Sequence, residues 1–338
     1  MQYNSYTYIH KSATVCDAHC DTVERIIKHR FDIGNRTKQG HIDLPRLFDG
    51  GIDVQVFACC VGGPGKPAGY YVKLTKKMID ALHKQFNKYS NSIELALTLS
   101  DIQKINQKGN IAGIIAIEGG QAIENDLSLI KEYYDLGVRI MTLTWKSTDW
   151  ADASQQRAKH NGLTEFGKNV VREMNKIGMI IDVSHSSDKT TIDAINVSTD
   201  PVIASHSCAK AICNHPRNLN DDLIKRISKI GGVICINFYS LFLDQSYYDK
   251  VRKKLKAELP SMNKVIEHIE YVIKTGGIDS VGLGSDFDGM NLPPKGLEDV
   301  SKVPEITKLL MEKGYLEEEI YKIMGGNFLR IFGQVCGV

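Results

Sequence analysis

The chain has 338 residues, of which 42% are hydrophobic, and 42 basic side chains nearly balance 40 acidic ones. This composition supports a large buried core, and the absence of a basic stripe argues against a nucleic-acid partner. No apolar window approaches the ~20 residues of a membrane span, so no membrane partner is expected.

The cysteines and the N-terminus predict a cytoplasmic protein. The first twelve residues are polar and aromatic and lack the apolar segment of a signal peptide. The eight cysteines include no C-x-x-C motif and are expected to be reduced thiols. Cys59 and Cys60, adjacent in an apolar run, are expected to be small buried hydrophobic side chains.

Apolar runs and helical patterns alternate along the chain, after an expected edge segment at 1–12. Strands are predicted at 15–22, 52–61, 111–117, 138–145, 179–183, 201–204, 233–238 and 280–283. Helices are predicted at 24–33, 43–50, 71–89, 126–136, 164–177, 188–196, 223–230 and 261–275, with a short helix capped at Ser100-Asp101 and two or three helices over 303–332. This alternation predicts a parallel sheet closed into a (β/α)8 TIM barrel, one domain spanning 1–338. A doubly wound open sheet is the alternative.

The loop after the second strand, G-G-P-G-K-P-A-G, is only superficially like a phosphate-binding loop. Lys66 is followed by Pro67, where such a loop needs Ser or Thr. We therefore predict an ordinary connecting loop there.

Residues that can bind metals follow the predicted strands at their carboxyl ends. In chain order they are His19, Asp21, Glu118, His185, His206 and Asp286. In a barrel these strand ends form one face, where active sites lie. Each residue has a structural alternative, such as a histidine bonded to backbone or an aspartate in a turn, but six together favour a site.

Three histidines and three carboxylates suit Zn, Mn, Fe or Ni, and zinc is the commonest choice for hydrolysis. The set exceeds the needs of one tetrahedral ion. A shared carboxylate can bridge two ions about 3.5–4 Å apart, and a hydroxide between them is a nucleophile at neutral pH. The residues alone therefore predict metal-assisted hydrolysis of a carbonyl compound.

The chain resembles the membrane dipeptidase (renal dipeptidase) family of metal-dependent amidohydrolase barrels. The resemblance rests on D-A-H-C-D-T, A-I-E-G-G, I-D-V-S-H-S-S, P-V-I-A-S-H-S, P-R-N and G-S-D-F-D-G, in the family's order. It implies a homodimeric zinc dipeptidase whose substrates have free termini and often a D-residue at the C-terminal position.

The resemblance also implies a role for each site residue. His19 and Asp21 would bind one zinc, His185 and His206 a second, and Glu118 would bridge them; Asp286 would orient the hydroxide and protonate the leaving amine, while Arg217 and Tyr239 would contact the substrate carboxylate. Trp145 stands where mammalian members have a substrate-contacting histidine. A lactonase or deaminase on the same metals is therefore the alternative activity. A non-catalytic binding protein should lack a ligand, and none is missing.

Overall fold

The computed structural model describes residues 5–337. Its strands are β1 (Cys16–Cys20), β2 (Val54–Cys60), β3 (Ile93–Leu95), β4 (Ile111–Glu118), β5 (Val138–Thr142), β6 (Ile180–Asp182), β7 (Ile203–Ser207), β8 (Val233–Ile236) and β9 (Val281–Leu283). All pair in parallel in the order β1-β2-β4-β5-β6-β7-β8-β9, and β3 pairs with the start of β4. The eight predicted strands are confirmed. Strand β3, which is three residues long, was not predicted.

The sheet curves into a nearly closed barrel. At the carboxyl ends of β1 and β9, the amide of Asp21 donates to the carbonyl of Phe287 at 2.9 Å, and the amide of Asp286 donates to the carbonyl of His19 at 3.1 Å. These bonds join the first and last strands at their carboxyl ends. The predicted TIM barrel is confirmed, and the open doubly wound sheet is excluded.

Helices lie around the sheet and at its ends. They are α1 (Tyr6–Ser12), α2 (Thr22–His29), α3 (Leu44–Asp49), α4 (Tyr70–Lys88), α5 (Leu99–Gln107), α6 (Ser128–Asp135), α7 (Glu165–Ile177), α8 (Asp188–Val197), α9 (Asp221–Lys229), α10 (Ser240–Leu243), α11 (Gln245–Arg252), α12 (Asn263–Gly276), α13 (Pro304–Glu312), α14 (Glu317–Tyr321) and α15 (Asn327–Cys336). Short 3-10 turns lie at Gly120–Ile123, Ile278–Ser280 and Val300–Lys302, and a π turn lies at Lys322–Gly326. Among residues 5–337, no helix is both long and apolar enough to cross a bilayer.

Three helix predictions need correction. The expected edge segment contains α1, capped by the Ser5 side chain, while residues 1–4 lie outside the described part of the chain. The cap of α5 is Thr98, and Asp101 completes its capping box, so the predicted Ser100-Asp101 cap was wrong. Helices α10 and α11 were missed, because they are short and lie in the long connection after β8.

The barrel interior has an apolar core separate from the layer between strands and helices. Alternate residues of neighbouring strands point inward, among them Val54 and Val56 on β2 and Ile114 on β4. Phe328 and Phe332 of α15 belong to the same interior cluster, at the end opposite the carboxyl ends of the strands. This packing leaves the carboxyl-terminal mouth for polar groups.

Candidate metal centre

Glu118, the last residue of β4, lies at the centre of the barrel mouth and is 2% exposed. Its Oε1 atom is 2.9 Å from His185 Nε2 and 3.4 Å from His206 Nε2. Its Oε2 atom is 3.9 Å from His19 Nε2. The two oxygens of one carboxylate thus lie nearest different histidines, while the ring centroids of His19 and His206 are 3.8 Å apart.

A bulge in β1 directs His19 into this centre. Between Asp17 and Cys20, β1 contains one more residue than the paired part of β2. Without that residue, His19 would alternate with the inward Ala18 and face the helices. The Nε2 atom of His19 lies 3.6 Å from Asp21 Oδ2.

Two aspartates complete the His19 side of the centre. Ligand atoms of His19, Asp21 and Asp286 all lie within 4.8 Å of one another. Asp286 has a left-handed backbone with φ 63°, and its Oδ2 accepts a hydrogen bond of 2.9 Å from Asn237. A Cβ atom at Gly289 would lie 1.9 Å from Asp21 Oδ2 and 2.4 Å from Asp286 Oδ1. The two carboxylates can therefore occupy these positions only because residue 289 is glycine.

Two buried polar atoms of the centre lack hydrogen-bond partners in the described part of the chain, which suits a metal site. His19 Nε2 and Asp21 Oδ1 are buried, and neither has a hydrogen-bond partner among the described residues. Burying polar atoms without a partner costs free energy of folding unless a cation binds them. Imidazole nitrogens and carboxylate oxygens are the ligands that zinc takes in catalytic sites.

The pKa values of these groups follow from burial and mutual contact. Burial raises the pKa of Asp21 to about 8, with Glu118 adding to the shift, and burial raises that of Asp286 to about 6. Burial alone would lower the pKa of His19, but the carboxylates around it raise it to about 10. Burial lowers the pKa of His185 to about 4, with Arg217 contributing. A cation bound by His19, Asp21 and Asp286 would replace the protons that these groups share.

A buried chain of hydrogen bonds orients His206. Ser205 Oγ donates to Asp182 Oδ2 at 2.6 Å and lies 2.8 Å from His206 Nδ1. Since the hydroxyl proton goes to the aspartate, Ser205 accepts the Nδ1 proton of His206. The tautomer so fixed leaves the Nε2 lone pair facing Glu118.

Asp17 orients site residues in a similar way, where β1 meets the residues that follow β9. It accepts hydrogen bonds from the amide and hydroxyl of Ser285 at 2.7 and 2.6 Å, and one of 3.3 Å from the amide of His19. It thereby ties the residue before Asp286 to β1. Asp17, Asp182 and both serines were not predicted as site residues, although each serine directly precedes a candidate site residue.

Arg217 lies beside His206 and is 3% exposed. Its Nη2 donates to the carbonyl of His206 at 3.1 Å, whereas its Nε, also buried, has no partner in the described chain. No carboxylate of residues 5–337 forms an ion pair with it. Burial lowers the pKa of this guanidinium, against the nearby carboxylates of Asp286 and Glu118, which raise it. A buried cation with free N–H groups is suited to a carboxylate ligand.

The other two predicted substrate residues also border the mouth. Tyr239 follows β8; its amide donates to Asn237 Oδ1 at 2.6 Å and its half-buried ring lies 5.0 Å from that of Phe242. Trp145, partly exposed, has its ring centroid 6.4 Å from that of His185.

Cys60 differs from its prediction. Cys59 is fully buried as expected, but Cys60 is only partly buried, and its Sγ lies within 4.8 Å of ligand atoms of Asp21 and Glu118. It therefore borders the candidate centre instead of filling the core. All eight cysteines are unpaired.

A family comparison decides the identity of the chain. The model of the membrane dipeptidase family, peptidase family M19, matches residues 4–338. The chain belongs to this family. The resemblance seen in the sequence is thereby confirmed, and with it the prediction of a metal-dependent peptidase.

Relatives of known sequence and structure agree with the M19 assignment. The dipeptidase aclJ of Aspergillus oryzae is 35% identical over 305 residues, covering 88% of this chain and 70% of its own length. The dipeptidase tcpJ of Claviceps purpurea is 34% identical over 334 residues, covering 94% and 76%. A metallopeptidase from Rhodobacter sphaeroides, solved with a phosphinate mimic of L-Ala-D-Ala, superposes with a TM-score of 0.87 at 26% identity, over 96% of this chain and 99% of its own.

Proposed function

We propose that this M19 member is a binuclear zinc dipeptidase acting on dipeptides with free amino and carboxyl ends, including those with a C-terminal D-residue. The observation that carries the proposal is the position of Glu118, whose Oε2 lies nearest His19 and whose Oε1 lies nearest His185 and His206. The substrate mimic bound by the Rhodobacter sphaeroides relative supports a D-residue at the C-terminal position.

Each ligand would have a defined place. His19 and Asp21 would hold one zinc ion, His185 and His206 the other, and Glu118 would bridge them. Zinc bound there supplies Lewis acidity, which lowers the pKa of water to about 7 and stabilises negative charge on a peptide carbonyl. Asp182 and Ser205 keep the His206 lone pair available for this role.

Asp286 would transfer a proton from the attacking water to the leaving nitrogen. Asn237 occupies its Oδ2 atom and leaves Oδ1 for the attacking water. Burial that raises the pKa of this carboxyl to about 6 suits a group that accepts a proton from water and passes it to the leaving nitrogen.

Arg217 and Tyr239 would bind the carboxylate at the C-terminal end of the substrate. The free N–H groups of Arg217 support this assignment, because a buried guanidinium without a carboxylate partner is stabilised by an anionic ligand. Trp145, beside His185, would shape the pocket where mammalian members carry a histidine.

We also propose a domain organisation, an oligomeric state and a location for the protein. One barrel domain over 1–338 follows from the alternation of strands and helices, a homodimer follows from the resemblance, and a cytoplasmic location fits eight unpaired cysteines. Sedimentation of the purified protein would test the dimer.

Zinc content measured with dipeptide hydrolysis tests the proposal. We expect about two zinc ions per chain and cleavage of L-Ala-D-Ala that a chelator abolishes and zinc restores. Metal without cleavage of any dipeptide would reject the substrate class and favour the lactonase or deaminase alternative. A protein without tightly bound metal after zinc-replete growth would reject the centre itself.

A further inference from the structure

A cavity of about 360 Å³ borders the candidate metal centre, between α2, α4 and the loop after β2. Asp21, Cys60 and Gly289 form the wall that it shares with the centre. In the ring of eight strands, β2 lies directly across the mouth from β7, whose His206 carbonyl is bonded to Arg217. The cavity and the buried guanidinium therefore flank the centre on opposite sides.

This arrangement sets the direction of a bound dipeptide, if the proposed function holds. With its carboxylate at Arg217 and its peptide carbonyl at the centre, the substrate must extend its N-terminal residue toward β2. We propose that the cavity binds the side chain of that N-terminal residue and selects large aliphatic or aromatic side chains over small ones, and rejects cationic ones.

Part of the cavity wall is apolar. Ile27 comes from α2, and Leu74 and the fully buried Met78 come from α4. The rings of Tyr70 and Trp145 also line it. Its volume is at the lower end of the range for small-ligand pockets, so it can hold a large side chain. Glycine or alanine would leave these walls in contact with water, and a buried hydrocarbon side chain would cover them.

The charges around the cavity disfavour a cation. Glu24 and Lys28 pair with each other and so contribute little net charge. Lys66 lies 5.5 Å from the ring centroid of Tyr70, and Lys146 lies 5.3 Å from that of Trp145. Neither lysine has a carboxylate within ion-pair distance in the described chain. Of these two lysines only Lys66 lines the cavity. The lining carboxylate of Asp288 is paired with Arg25, and that of Asp21 is a proposed zinc ligand, so a lysine or arginine side chain of the substrate would meet an unpaired positive charge and no free carboxylate.

A dipeptide series with a fixed C-terminal residue tests the proposal. We would measure kcat/KM for X-D-Ala with X as Gly, Ala, Leu, Met, Phe and Lys, using the zinc-loaded enzyme. We expect Leu, Met and Phe to exceed Gly by about tenfold or more, since each buried methylene contributes about fourfold, and Lys to fall below Met. A flat profile, or a preference for Gly, would overturn the proposal but leave the dipeptidase function intact. Failure to cleave any member would reject that function instead.

Filling the cavity gives a second test. Leu74→Trp should lower the Phe-to-Gly ratio of kcat/KM at least tenfold, whereas Lys77→Trp, on the exposed face of the same helix, should leave the ratio unchanged. An equal loss on every substrate would contradict the proposal. Should Leu74→Trp fail to fold, as judged by circular dichroism, Leu74→Ala and the wild-type series decide the question.

Discussion

Replacement of Arg217 by methionine tests how the substrate carboxylate is bound. The guanidinium is 3% exposed, one of its N–H groups holds the His206 carbonyl at 3.1 Å, and its Nε is unpartnered. Methionine keeps much of the volume but removes the charge and every donor. The change should therefore remove carboxylate binding, together with the bond to the His206 carbonyl.

The size of the effect follows from electrostatics. Two opposite charges 4 Å apart attract by about 4 kcal/mol at an effective dielectric constant of about 20, and a hydrogen bond to a charged group contributes about 1.5–3 kcal/mol. Desolvation of the substrate carboxylate offsets part of this. We expect a loss of about 3 kcal/mol, which is roughly two orders of magnitude in kcat/KM.

The assay compares a dipeptide with its C-terminal amide in wild type and Arg217→Met. In wild type, amidation should reduce kcat/KM by about two orders of magnitude, and in the variant by only a few-fold. Zinc content should be unchanged, and Arg226→Met, an exposed arginine paired with Asp222, should behave as wild type. Equal loss on the acid and the amide would refute carboxylate binding and assign Arg217 to holding His206.

Three further changes test the proton path, the ligand orientation and the acid stability. Asp286→Asn, which left-handed backbone tolerates, should lower kcat by 10²–10⁴-fold with zinc retained; near-normal kcat would reject the proton role. Ser205→Ala breaks the chain from Asp182 and should weaken zinc binding about 10–100-fold in chelator competition, unlike the exposed Ser90→Ala; unchanged affinity would show that Ser205 does not orient its neighbour. Buried His268 accepts from the Ala209 amide, and burial lowers its pKa to about 4, so the unfolded chain binds more protons between pH 6.5 and 4. The metal-free protein should then lose about 2 kcal/mol of unfolding free energy from this group between pH 6.5 and 5, measured with urea, and His268→Gln should lack that loss. Identical pH slopes would contradict it.

The sequence alone determined the barrel and six candidate site residues. Eight apolar runs separated by helical patterns predict parallel strands whatever their register, and in a closed barrel the carboxyl ends of such strands meet at one face. His19, Glu118, His206 and Asp286 could therefore be grouped without knowing a distance, since each follows an apolar run.

The orientation of those side chains, in contrast, follows only from the tertiary structure. The bulge in β1 that turns His19 inward arises where β1 pairs with β2, and the close approach of Gly289 to two carboxylates depends on barrel closure. The bond between Asp17 and Ser285 joins residues 268 positions apart, which no local pattern predicts. Cys60 was misjudged for the same reason, because an apolar run indicates burial but not which members lie at its polar end. Strand patterns arise from local periodicity, whereas ligand orientation arises from contacts that form only when distant strands meet.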